Sequence, residues 1–134
     1  MINLTSATEA WSKLQEDDSY LIDVRTSAEW NFVGVPLYDP HKLIKLSLFE
    51  YPDMSFNSDF LNEFNKLFKG SKNSKLFCLC RSGVRSQQAA EIFETAEFKN
   101  IYNIIDGFEG NTDNNKHRNQ ISGWKFSGLP WEQN

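Results

Sequence analysis

Short apolar runs with strand character alternate along this chain with segments that carry helical signals. The runs are "SYLIDV" from Ser19, "KLIKLSLF" from Lys42, "KLFCLC" from Lys75 and "IYNII" from Ile101. Nothing else in the sequence constrains the fold as much. A strand, a helix and a second parallel strand close as a right-handed unit, and a series of such units builds a parallel sheet with helices on both faces. The runs around Leu21 and Phe77 are apolar without alternation, as in strands buried on both sides. With 134 residues, 40% of them hydrophobic, the chain can fill one core and is too short for two, so a single domain over 1–134 is expected.

The helices announce their starts. "SATE" at Ser6 to Glu9 and "TSAE" at Thr26 to Glu29 are capping boxes, in which a hydroxyl and a glutamate satisfy each other's backbone N–H groups. The first helix is expected to reach about residue 16, presenting Ala7, Ala10, Trp11 and Leu14, and the second to stop near Gly34 and Pro36. From Ser58 to Lys69 an apolar stripe of Phe60, Leu61, Phe64, Leu67 and Phe68 predicts a third, with Gly70 as its C-terminal cap. The segment Val84 to Glu97 predicts a fourth, with Ala89, Ala90, Ile92, Phe93 and Ala96 inward. Residues Asp106 to Ser122 have no period and form a long loop, a length associated with function or disorder. "GWKFSGLPW" then anchors the tail to the body through its tryptophans.

Charge narrows the partners. A net charge of −4 gives no basic face, so neither nucleic acid nor an anionic membrane is expected as a partner, while a small anion at a local site is allowed. The opening "MINLTSATEA" lacks a basic region followed by an apolar one, and nowhere do eighteen apolar residues run together, which predicts a cytoplasmic location. Cys78 and Cys80, with one residue between them, are poorly placed for a disulfide and too few for a zinc site. A reduced thiol, no metal and no cofactor are expected.

The stretch "CRSGVRS" is the candidate site. In open α/β sheets ligands bind beyond the carboxyl ends of the strands, where Cys80 to Arg85 lie. Gly83 permits a backbone turn that aims successive N–H groups inward, and the following helix adds its positive end. A thiol centred there is easier to ionise, and the thiolate is the reactive form. Cys80 is thus the candidate nucleophile, with Arg81, Ser82, Gly83, Val84, Arg85 and Ser86 around its substrate. Arg81 or Arg85 offers a charge to an oxyanion, and Ser82 and Ser86 offer hydroxyls. The alternative is a buried structural cysteine, the reading preferred for Cys78. Asp23 and Arg25 end a neighbouring strand and are expected to brace the site, unless Arg25 simply pairs with Glu29 at helical spacing.

"CRSGVRS" resembles the active-site loop of the rhodanese family of sulfurtransferases, and the long loop, with "FEG" and a later "HR" at His117 and Arg118, resembles that of a bacterial subset of the family. "LIDVRTSAEW" resembles that family's upstream motif, and "IIDGFEG" followed by "GWKFSGLPW" its C-terminal signature, in matching order over nearly the whole chain. The resemblance implies a rhodanese-like three-layer sandwich, with a five-stranded parallel sheet between helices. It implies that Cys80 takes a sulfane sulfur from a donor such as thiosulfate, becomes a persulfide, and passes the sulfur to a thiol or to cyanide. It also makes Gly107 a supporting residue and allows an acceptor protein as partner.

Two other classes stay in view. A cysteine phosphatase or arsenate reductase would also use a cysteine and an arginine, but in the related phosphatases the loop has one more residue between them. A weakly active partner-binding module on the same fold is the other. The "VPLYDPHKL" segment implies a different wall from the family's usual one, and Asp106 before Gly107 is expected to weaken thiosulfate binding by repulsion. His117 and Arg118, in the long loop, are a candidate cover or partner contact. His117 and His41 read more simply as solvated.

Overall fold

A computed structural model describes residues 1–134. The elements in chain order are β1 (Ile2–Thr5), α1 (Ala7–Leu14), β2 (Ser19–Asp23), α2 (Ser27–Phe32), β3 (Val35–Pro36), β4 (Leu43–Lys45), β5 (Phe49–Glu50), β6 (Ser55–Phe56), α3 (Phe60–Leu67), β7 (Lys75–Leu79), α4 (Val84–Thr95), β8 (Asn100–Ile104) and β9 (Trp131–Glu132). Five strands form one sheet in the order β1-β8-β7-β2-β4, and every pairing in it is parallel. β3 with β9 and β5 with β6 make two small antiparallel pairs outside it.

The expected architecture is present, and alternation along the central strand shows how it is built. Leu76, Cys78 and Cys80 point to a core that includes Phe60 and Phe64 of α3 and Ala89, Ala90 and Phe93 of α4. Phe77 and Leu79 point to the opposite core, with Ala7, Ala10 and Leu14 of α1 and with Phe108 and Trp124. The tail is anchored as its tryptophans predicted, since Trp124 is fully buried and donates its Nε1–H to the Pro130 carbonyl at 2.8 Å.

Both capping boxes form. Ser6 accepts from the Glu9 N–H at 3.1 Å and Thr26 from the Glu29 N–H at 3.3 Å, while each glutamate accepts in return.

Several expectations require correction. The strand β1 precedes α1 and pairs Ile2 with Ile101, although its four residues carry too little pattern to be read. The run from Lys42 supplies only Leu43–Lys45 to the sheet, because the chain then turns and Leu48 N–H bonds back to the Val24 carbonyl. Gly70 does not cap α3. The helix gives way at Phe68, which is extended at φ −80° and ψ 129° and stacks on Phe64 with ring centres 4.9 Å apart.

Candidate active site

The site grows from the carboxyl end of β7. Cys80 follows the last strand residue, and its carbonyl accepts the Phe108 N–H at 2.8 Å while the Arg81 carbonyl accepts the Glu109 N–H at 3.0 Å. This lacing brings two backbones together so closely that a Cβ on Gly107, at φ +64°, would stand 2.4 Å from the Arg81 oxygen. Gly83, at φ +100°, makes the second turn, and a Cβ there would meet the Ile105 carbonyl oxygen at 2.4 Å. Both positions demand glycine for space as well as for backbone angle.

Those turns aim two groups at the sulfur. The Gly83 N–H donates to Cys80 Sγ at 3.1 Å, and the Ser86 Oγ lies 3.2 Å from the same atom. Of the expected series of inward N–H groups, Gly83 provides the one that reaches the sulfur. Gly83 is also the N-cap of α4, a twelve-residue helix, so its positive end adjoins the thiol. Cys80 is 1% exposed and Ser86 fully buried.

A residue that the motif did not single out completes this cluster. Asn103 of β8 accepts the Ser86 hydroxyl at Oδ1, at 2.6 Å, and its Nδ2 donates to the Gly83 carbonyl and to Gln87 Oε1, each at 3.1 Å. The signal was an asparagine inside the apolar run "IYNII", on the strand face that Cys78 and Cys80 share.

The arginines part company. Arg81 is exposed, and Val84 beside it is 70% exposed. Arg85 is bound in a bidentate pair to Glu29 of α2, at 2.7 and 2.8 Å. Burial opposes the Arg85 charge; Glu29 more than restores it, and Cys80 and Asp23 add to the same field. Arg25 does not pair with Glu29, against that alternative. It is wholly buried, donates to the two Asp23 oxygens at 2.9 and 2.7 Å and to the Gly34 carbonyl at 2.9 Å, and lies over the Phe108 ring at 4.2 Å. Its direction into the core, away from the face of α2, excludes the short-range pairing.

Asp106 does not stand free beside the loop. Its carboxylate accepts the Ala7 N–H at 2.8 Å and the Gly123 N–H at 3.3 Å, so its charge sits at the start of α1. Two backbone donors thus share the Asp106 charge, which is directed at α1. Cys78 is core, as read: burial, and then the charge of Cys80, push its thiol well above the usual range.

A cavity of about 460 Å³ lies between α2 and the loop, lined among others by Glu29, Tyr51, Arg81, Arg85, Glu109 and Arg118. The long loop thus delivers Glu109 and Arg118 to the mouth, with Arg118 tied to the Gly110 carbonyl at 2.7 Å. His117 is exposed and does not line that cavity, and His41 lies elsewhere on the surface. No cluster of three or more His, Cys, Asp or Glu side chains is placed to hold a metal ion, and no helix is long and apolar enough to cross a membrane.

Comparison with known proteins follows the same lines. Residues 2–134 match the family described as the STR4 middle domain. An uncharacterized protein of Rickettsia conorii is 41% identical over 128 residues, covering 94% of each chain. The crystal structure of Rv0390 from M. tuberculosis superimposes with a TM-score of 0.87 at 35% identity, covering 98% of each chain. The chloroplastic rhodanese-like domain-containing protein 4 of Arabidopsis thaliana is 32% identical over 127 residues, which are 94% of this chain and 25% of the plant protein.

Proposed function

The chain belongs to the rhodanese-like proteins, in the family of the STR4 middle domain, and from that premise we propose that it is a sulfurtransferase working through a persulfide on Cys80. The reading treats residues 1–134 as one domain, and a cytoplasmic location goes with its two free thiols. The observation that carries it is the convergence of the Gly83 N–H and the Ser86 hydroxyl on one sulfur at the N-terminus of a helix.

In the first step the Cys80 thiolate attacks the outer sulfur of a donor such as thiosulfate. The Cys80–sulfur bond forms, the donor's sulfur–sulfur bond breaks, and sulfite leaves with the electron pair. In the second step a thiolate or cyanide attacks the outer sulfur of the persulfide, takes it, and returns Cys80 as thiolate. Gly83 N–H and the helix end stabilise negative charge on sulfur throughout. Arg81 and Arg118, at the rim of the cavity, are the cations open to a small sulfur-containing anion or an acceptor protein. Arg85 acts through its grip on Glu29. Asp23, Arg25 and Gly107 support the loop from below.

A phosphatase reading asks the loop arginine to hold an oxyanion, and here that arginine is already held by a carboxylate. The test is intact mass after thiosulfate and then after cyanide, for wild type and Cys80→Ser. One sulfur atom gained by wild type alone and removed by cyanide is the expected result. No gain with thiosulfate or with a persulfide donor would leave a partner-binding module on the same fold.

A further inference from the structure

We propose that Asn103 is a positioning residue that governs the reactivity of Cys80 by competing with it for the single proton of Ser86. The assignment follows from counting donors. Asn103 Nδ2 has two hydrogens, and both are placed, one on the Gly83 carbonyl and one on Gln87 Oε1. That fixes the orientation of the amide and makes Oδ1 an acceptor. The Ser86 hydroxyl has one hydrogen, and at 2.6 Å from Oδ1 it belongs there. Ser86 therefore turns a lone pair toward the sulfur 3.2 Å away, where it can accept from a Cys80 S–H but has no proton to give a thiolate.

When Cys80 gives up its proton to solvent or to a base brought by the substrate, that arrangement no longer fits. Two groups that only accept, a thiolate and Asn103 Oδ1, then face the one Ser86 proton. The hydroxyl stabilises the thiolate only by turning away from Oδ1, with no bond broken beyond the hydrogen bond itself. Asn103 thus favours the thiol and is released as the thiolate forms. Cys80, Ser86 and Asn103 are all at most 3% exposed, so water is poorly placed to replace the lost partner. Gly83 lies in the same ring: its N–H holds the sulfur and its carbonyl is held by Asn103. The charged and titratable groups around the sulfur are Arg85 with Glu29 from α4 and α2, Cys78 on β7, and Asp23 at the end of β2 with Arg25 just past it. Leucine at 103 or alanine at 86 adds or removes none of these charges.

The proposal rests on Cys80 being the reactive thiol, and its test reads that thiol directly. In a Cys78→Ala background, the pH profile of iodoacetamide alkylation is measured for the otherwise native protein, Asn103→Leu, Ser86→Ala and the double variant. With Ser86 present, Asn103→Leu should move the alkylation midpoint to lower pH and raise the rate below it by about three- to tenfold, the range of one ordinary net hydrogen bond. Ser86→Ala should move the midpoint up, and Asn103→Leu added to it should no longer bring it down, leaving only whatever the Gly83 contact contributes. Loss of the Gly83 contact occurs with and without Ser86, so it cancels in the comparison. If Asn103→Leu loses its fold by circular dichroism, Asn103→Asp keeps the shape and the acceptor. It should raise the midpoint, by less when Ser86 is absent. An effect at 103 of equal size with and without Ser86, or no effect, overturns the proposal. A protein that loads sulfur yet shows equal effects sinks this relay alone, and a working relay without sulfur loading sinks only the sulfurtransferase reading.

Discussion

Arg85 grips Glu29 with both arms of its guanidinium, Nη1 to Oε1 at 2.7 Å and Nη2 to Oε2 at 2.8 Å, across 56 positions of sequence. The pair joins the start of α4 to the first turn of α2, so the charge of Arg85 is already countered by a carboxylate before any anion arrives.

Removing the carboxylate should therefore help an anionic donor. Glu29→Gln is expected to lower KM for thiosulfate by about threefold or more, since an unpaired guanidinium binds an oxyanion with charge-assisted hydrogen bonds. Steady-state kinetics decide the point. A KM unchanged or raised would mean that the pair shapes the mouth and does not tune its charge.

The same pair makes stability sensitive to acid. Burial alone would raise Glu29, but the hydrogen bonds and charge of Arg85, with the N–H and hydroxyl of Thr26, overcome it and hold the group at about 2 against an ordinary 4.5. A depressed carboxylate stabilises the fold fully above its unfolded value and ceases to do so as pH falls from about 4.5 through about 2. Discounted for the pair's partial exposure to solvent, the contribution is about 1 to 2 kcal/mol. Urea melts across that window should show wild type losing this increment and Glu29→Gln losing much less.

The long-range pair also marks the limit of what the sequence discloses. Capping boxes placed α1 and α2, helical apolar spacing placed α4, and unbroken apolar runs placed the strands through Leu21 and Phe77, because those signals are local. Glu29 and Arg85 have no local signal for each other, and helical spacing pointed Arg25 at Glu29 instead. Arg25 turned inward because Asp23, two residues back, offers both oxygens in a buried site. Phe68 left its helix for an aromatic cluster assembled from Phe64 and Phe98. Asn103 was visible as an oddity in "IYNII", but its partners come from the start of the preceding helix and appear only once β7 and β8 are in register.

Asp23 and Arg25 are both fully buried, which gives a second stability test. Asp23→Asn strands a guanidinium in the core and should destabilise by about 3 to 5 kcal/mol, whereas replacing both residues with apolar ones of similar volume should recover much of the loss. Equal instability of the single and double variants in urea would argue against a stranded charge as the cause.

Gly107 and Gly128 form a matched control. Both have positive φ, +64° and +74°, but a Cβ on Gly128 meets nothing within 4 Å while one on Gly107 strikes the Arg81 backbone. Gly128→Ala should cost about 1 kcal/mol, backbone strain alone, and leave sulfur loading intact. Gly107→Ala should cost about 3 kcal/mol or more and abolish loading, as read by melting and by intact mass. Similar behaviour of the two would remove the backbone lacing as the reason for glycine at 107.

β7 runs down the middle of the sheet, with β8 on one side and β2 on the other, and Cys80 is the first residue beyond it. In the language of amide exchange, the sulfur is carried by the unit that opens last, while Arg81, Glu109 and Arg118 sit on loops that depend on fewer bonds. Heat or denaturant is thus expected to loosen the rim proposed to select a partner before it displaces the proposed nucleophile. Such an order of failure would leave a reactive centre that outlives its own discrimination.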